Sequence, residues 1–288
     1  MSNLITTARV QQYKSNVIML AQQKGTRLRR TCREDGDMVG KQVFFDRIGA
    51  TNAVKNTVRH GDTPLVNTQH SRRMAPLVDY DWADLIDKQD RLRMIQDPTS
   101  PYARNAGWSV GRAYDDEIIA TASGTAATGE DGSGSSSLPS GQKIVHGSAG
   151  LDLAKLISAR EILDAADVDP DTPRYAIVTA KQVSDLLGVT EVKSADYASI
   201  KALVEGKVNS FMGFEFIRTE RLVLDGDSNR LCLFYTADAI GLEVPQDIMV
   251  DIGPRRDKRN ATQVYVCASV ASVRIEDEQL VEVACVES

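Results

Sequence analysis

Asp79, Asp81, Asp84 and Asp87 form the densest acidic cluster in the chain. Carboxylates in such a row can hold a hard cation. The fixed glycine and closing glutamate of a calcium loop are missing, however, so a solvated helix start is the simpler reading. His60, His70 and His146 stand at no ligand spacing to one another or to the cysteines, and a zinc site needs such spacing. Gly206-Lys207 resembles the end of a phosphate loop, but the leading glycine is missing and Val208 follows the lysine. The glycines of "GEDGSG" follow no apolar strand, and no Gly-x-Ser-x-Gly elbow exists. The carboxylate pairs Asp115-Asp116 and Asp225-Asp227 read as solvated surface, and Trp82 and Trp108 as packing anchors. No catalytic residue, cofactor site or metal site emerges, and the chain reads as a non-enzyme.

The other clustered chemistry is cationic. No acid precedes Glu34, whereas Arg9, Lys14, Lys24, Arg27, Arg29, Arg30 and Arg33 all do. Lys55, Arg59, Arg72 and Arg73 punctuate a polar stretch, and Arg255, Arg256, Lys258 and Arg259 make a basic turn. The basic arm could touch nucleic acid or an acidic neighbour, and the basic turn reads as an ion-pair surface for a partner, with Glu276, Asp277 and Glu278 of a neighbour as acceptors. Exposed pairs contribute roughly 0–1 kcal/mol each. They therefore set register more than affinity. A formal net charge of -6 over 288 residues argues against a general nucleic-acid binder.

The elements that would carry these groups follow from periodicity. Residues 10–24 put Val10, Tyr13, Val17, Leu20 and Ala21 on one helical face. Between Met38 and Val78 the text is polar, and Ala53, Lys55 and Thr57 alternate with Val54, Asn56 and Val58, which fits a long hairpin turning at His60-Gly61-Asp62. So thin a hairpin cannot bury a core and must lie on another surface. Residues 79–98 suggest helical or mixed structure. A helix over about 103–122 carries Ala106, Val110, Tyr114 and Ile118 in a stripe, with Gly107 and Gly111 permitting close backbone approach. A Gly/Ser loop over 123–137 precedes a helix with Leu153, Leu156, Ile157, Arg160 and Leu163 on one side. "RYAIVTA", "FEFIR", "RLCLFY" and "GLEV...IMVDIG" read as strands among further helices, one capped by Thr179 and one by Asp196. "TQVYVCASVASVRI" and "QLVEVACV" close the chain. "KVNSFMGFEF" reads as a joint, in which Gly213 turns the backbone into a strand over packed Phe211 and Met212. Cys32, Cys232, Cys267 and Cys285 form no Cys-x-x-Cys pair and read as buried free thiols. The opening "MSNLITTARV" does not look like a secretory signal, and no run is long enough to cross a membrane.

Three stretches carry a family resemblance: "TAKQVSDLLG", "SADYASIKALVEGKVNSFMGFEFIRTERL" and "ASVASVRIEDEQLVEVAC". In their order the chain resembles the major capsid proteins of tailed bacteriophages, with the Hong Kong 97-like fold. The resemblance implies an α+β fold with an N-terminal arm over 1–37 and an extended hairpin arm, or E-loop, over 38–78. A peripheral domain over 79–150 would contain a long spine helix at about 103–122. A mainly axial domain would span 151–252, and return strands of the peripheral domain 253–288. The implied function is self-assembly into the icosahedral head shell that encloses phage double-stranded DNA. Implied partners are many copies of the chain as hexamers and pentamers, portal and scaffolding proteins, a decoration or cement protein, and non-specifically held DNA, with no membrane and no cofactor. The implied localisation is the virion, after assembly in the host bacterial cytoplasm. Inter-subunit contacts are expected at Arg27, Arg29, Arg30, Lys55, Arg59, Arg72, Arg73, Arg255, Arg256, Arg259, Glu276, Asp277 and Glu278. Lys55 and Asn209 lack the spacing that covalent crosslinking in the prototype needs, so no crosslink is expected. No scaffold domain precedes the arm, which implies a separate scaffolding protein or scaffold-free assembly. The alternatives are a bacterial protein-shell compartment of the same fold and a soluble α/β enzyme.

Overall fold

"ATQVYVCASVASVR" folds as one strand, β12 (Ala261–Arg274), in the computed structural model, which describes residues 21–34, 40–57, 59, 61–87, 99–188 and 210–287. Its valines and alternating small residues suit a pleated, half-buried surface. Its neighbours are β11 (Ile240–Arg255) and β3 (His70–Ile86), and β2 (Gln42–Ile48) pairs antiparallel with β3. The short strands β1 (Arg33–Glu34), β4 (Ala126–Thr128) and β5 (Gly134–Ser136) complete a sheet ordered β1-β11-β12-β3-β4-β5. A second sheet contains β6 (Lys143–Ile144), β13 (Leu280–Val286), β10 (Asn229–Thr236), β7 (Arg174–Val178), β9 (Phe214–Arg218) and β8 (Ser210–Phe211), in that spatial order. The described helices are α1 (Thr99–Ser123), α2 (Leu153–Ala165) and α3 (Ala180–Gly188).

The chain divides into two compact units. The first takes Met1–Thr26, Asp79–Ala113 and Gln246–Ala268. In it, residues 22–25 lie along α1. Arg112 donates to Gln22 Oε1 at 2.9 Å and to the Gln23 carbonyl at 3.0 Å, and the Lys24 ammonium sits 5.7 Å above the Trp108 ring. Gly111 makes this approach feasible, because a Cβ there would meet Gly25 Cα and Thr26 N at 2.7 Å. Gly107 has no such role, since a Cβ there would meet nothing within 4 Å.

The second unit takes Arg27–Val78, Tyr114–Pro245 and Ser269–Ser288. Its six-stranded sheet is apolar at the centre, where Ile177, Val178, Leu233, Val281 and Val283 are buried. Phe214 and Phe234 meet edge to face at 5.3 Å, an arrangement that contributes about 0.5–1.5 kcal/mol beyond area burial. The turn between β8 and β9 has two residues, Met212 and Gly213, both at positive φ (53° and 85°). That matches the mirror-image turn a tight hairpin needs, so the joint expected at Gly213 is present. Asp152 caps α2 by accepting from the Lys155 backbone N–H at 2.8 Å. α2 buries Lys155, Leu156, Ala159 and Leu163, while Ile157, expected on the inner face, is 48% exposed. The buried Lys155 ammonium donates to the carbonyls of His146, Ala149, Gly150 and Ala284 at 2.8–3.1 Å. α3 opens with Gln182 Oε1 accepting from the Thr179 backbone N–H, the return half of a capping box.

Several expectations need correction. Residues 79–86 continue β3 and are not helical. Residues 51–57 and 61–69 form no strand, so the paired part of the hairpin stops at Ile48 and His70. β12 and β13, expected as a closing pair, belong to different sheets. Asp115 is fully buried, not solvated. The helices expected over 10–24 and from Asp196 lie largely outside the described residues, and the described residues 21–24 are not helical. No described helix is long and apolar enough to cross a membrane.

Candidate assembly surfaces

Within the second unit, the root of the β2–β3 ribbon is held by a buried ionic node. Arg274 lies within the apolar run "VASVRI" and has no exposed surface. It donates to the carbonyls of Ala122, Gly124 and Ser136 and to Asp277 Oδ1, the last at 2.6 Å. Asp277 Oδ2 accepts from Arg73 at 2.7 Å and from the Ser136 hydroxyl at 3.0 Å. Burial alone would raise the Asp277 carboxyl, but Arg274, Arg73 and Ser136 hold it below the usual carboxylate range. Arg73 and Arg47 also donate to the Ile275 carbonyl. Phe45 and Ala75 from the ribbon pack with Ala126, Ala271 and Val273 beside this node. An open groove of about 820 Å³ at the ribbon root is lined by Ile48, His70, Arg72 and Glu130 among others.

Beyond this root the ribbon loses its cover. Gly49 donates to the Gln69 carbonyl, and the described residues 50–57 and 61–69 beyond it are exposed and belong to no strand. Leu65 is 93% exposed, Val54 57% and Val66 46%. Isolated exposed apolar residues are ordinary; several on one segment without secondary structure are not. A second exposed apolar strip lies on β11, where Ile248, Met249, Val250 and Ile252 are all accessible.

The cations singled out in the sequence divide into two sets. Arg27, Arg29 and Arg30 are held within the chain. Arg27 donates to the Arg218 carbonyl, Arg29 pairs with Glu34 at 2.8 Å, and Arg30 pairs with Glu215 at 2.6 Å. The backbone N–H groups of Arg27 and Leu28 donate to Asp115 at 3.0–3.1 Å, and Thr31 shares a 2.6 Å hydrogen bond with the Tyr235 hydroxyl. Arg72 pairs with Asp46 at 2.6 Å, Arg73 with Asp277, and Arg255 with Asp257 at 3.0 Å. Lys55, Arg59, Arg256 and Arg259 form the other set, on exposed loops and turns. Glu276 accepts from Gln279, and Glu278 is exposed.

Three structural groups escaped the sequence reading. An arginine inside an apolar strand, with an acid three residues on, was the available signal for Arg274 and Asp277. Glu287 accepts from Arg230 at 2.7 and 3.0 Å, and from Thr179 and Gln182 at 3.1 Å. Its carboxyl is held down at about 2, chiefly by the Arg230 hydrogen bonds. Asp115 gave no signal, because only the fold brings residue 27 to α1. Among the described residues no group of three or more His, Cys, Asp or Glu could hold a metal ion.

Solved structures of similar shape include phage capsids. The capsid of cyanophage P-SCSP1u superposes with a TM-score of 0.77 at 17% identity, covering 99% of this chain and 95% of that one. The capsid of Ralstonia phage GP4 gives 0.74 at 11% identity, covering 97% and 96%. A chain of Mycobacterium phage Che8 gives 0.69 at 14% identity, covering 96% and 97%. At these identities the likeness is one of fold. No curated protein matches the sequence. A family model described as phage capsid protein matches residues 5–287, so the chain belongs to the phage capsid protein family, and its α+β architecture is that of the Hong Kong 97-like capsid fold.

Proposed function

We propose that this capsid subunit builds an icosahedral head around double-stranded DNA, as hexamers and pentamers clasped by the ribbon over 38–78. In this reading the ribbon is the extended hairpin arm, α1 is the spine helix, residues 1–37 are an N-terminal arm, 151–252 are mainly axial, and 253–288 return to the peripheral domain. The observation that carries it is the ribbon's exposed apolar side chains, which it has no means of covering itself. Neighbours in a shell would cover them, and many weak contacts add up through multivalency. Lys55, Arg59, Arg256, Arg259, Glu276 and Glu278 are proposed as inter-subunit contacts. Arg27, Arg29, Arg30, Arg72, Arg73, Arg255 and Asp277 are proposed as inter-subunit contacts as well, each of them also engaged within its own chain. Scaffolding, portal and decoration proteins are proposed partners, and assembly is assigned to the host cytoplasm. The interior would attract DNA weakly, because the chain is net acidic.

Deleting Thr51–Thr68 tests the ribbon's role. The expected result is soluble, folded subunits and no shells by electron microscopy. Normal shells from the deleted chain would refute it.

A further inference from the structure

The groove at the ribbon root opens where a pairing ends. β4 pairs with β3 only at Arg73 and Met74, so on that side the edge of β3 from His70 to Arg72 meets no strand among the described residues. The groove of about 820 Å³ lies there, and Arg47, Arg72, Arg73 and His70 line it together with the acids Asp46 and Glu130.

Its cations exceed the acids that meet them. Arg72 is matched by Asp46. Arg73 and Arg274 share one carboxylate, Asp277. Half-buried Arg47 donates to the Ile275 carbonyl and has no acid partner among the described residues. Three guanidiniums thus converge on Ile275–Asp277 against one carboxylate. Glu276 and Glu278 of the same turn are exposed, and among the described residues neither pairs with them.

Arg73 shows the deficit at a single atom. The residue is 4% exposed. Its Nε donates to the Ile275 carbonyl and its Nη2 to Asp277, whereas Nη1 is buried and has no hydrogen-bond partner. Buried donors in native proteins are satisfied by the chain, by water or by an ion. Water would satisfy the N–H group but not the surplus charge. Guanidinium presents a planar fork of donors that fits an oxyanion. A surplus of two positive charges suits a dianion better than a single carboxylate.

We propose that the groove at the ribbon root is a phosphate site, where Arg47 and Arg73 hold a phosphate dianion, free or as a monoester. Thr128 and Ser136 of the β4–β5 hairpin also line the groove, so an occupant would bridge that hairpin to the ribbon. Glu130 lines the same groove and opposes the ligand by charge.

Titration calorimetry of the full-length, unassembled chain with inorganic phosphate tests this, with chloride holding ionic strength constant. The parent is expected to bind, and its melting midpoint to rise with phosphate. Arg47→Gln should weaken binding by at least about tenfold, through loss of one charge-assisted contact. Glu130→Gln removes a repulsive charge and should tighten binding by about threefold or more. Circular dichroism checks that both variants fold. Should Arg47→Gln fail to fold, Glu130→Gln, on an exposed bend, decides alone, and unchanged affinity there overturns the site. Adenosine monophosphate separates the two sources. Tighter Arg47-dependent binding than inorganic phosphate identifies an ester, and equal or weaker binding identifies the free ion. Binding of neither probe, by calorimetry and by melting, would overturn the proposal, as would affinities that ignore both substitutions.

Discussion

The Arg274 guanidinium, with no exposed surface, meets Asp277 at 2.6 Å, and the same carboxylate accepts from Arg73 of the ribbon root at 2.7 Å. One carboxylate thus pairs with two buried arginines while Arg274 also donates to carbonyls at the end of α1. Removing one partner of a buried pair leaves the other charged and uncompensated.

Asp277→Asn is expected to destabilise the unassembled subunit by about 3–5 kcal/mol. Glu278→Gln, one residue away and exposed, should stay within about 0.5 kcal/mol. Urea denaturation of the two variants measures the contrast, and equal midpoints would contradict the node.

Glu287 predicts an acid-sensitive closure of the six-stranded sheet. Its folded value of about 2 lies below the ordinary 4.5, so its contribution is fully present above pH 4.5 and fades as pH falls toward 2. Partial exposure to solvent limits the contribution to on the order of 1–2 kcal/mol. Glu287→Gln should remove that part of the pH dependence, and stability curves between pH 2 and 6 would show the parent and variant converging at the acid end.

Asp115→Ala removes the acceptor for the Arg27 and Leu28 backbone N–H groups. An orphaned buried donor costs about 1–3 kcal/mol. Hydrogen exchange at those two amides should accelerate in the variant, and trypsin should cut more readily at Arg27–Arg30. Unchanged protection would mean that the carboxylate does not hold this turn.

The two α1 glycines should respond in opposite directions. Gly111→Ala forces a Cβ to 2.7 Å from the backbone at Gly25 and Thr26, and overpacking of this kind costs about 1–3 kcal/mol. Gly107→Ala meets nothing within 4 Å and should gain about 0.5–1 kcal/mol from helix propensity. Thermal melting of the pair distinguishes packing from propensity.

Local pattern made much of this fold readable. The α1 stripe, the apolar strands and the Met212–Gly213 turn follow from spacing within a few residues. Asp79–Ile86 misled because its acids suggested a helix start, whereas pairing with distant residues makes it strand. The partners of Asp115 and Glu287 are 88 and 57 residues away in the chain, and Arg73 is 204 from Asp277, so only the three-residue step from Arg274 to Asp277 was local enough to read. The assembly surfaces were half visible. The ribbon's inability to cover itself could be read from composition, whereas the exposure of Ile248–Ile252 depends on which strand occupies the sheet edge.

Cys232 and Cys285 are completely buried, and burial pushes the Cys32 thiol up to about 12. Alkylating reagents attack thiolates, so the folded protein offers them little beyond half-buried Cys267. Labels placed on engineered cysteines in the ribbon would therefore report with low background. Uptake of reagent by the native four would serve as a clock for how often the subunit opens.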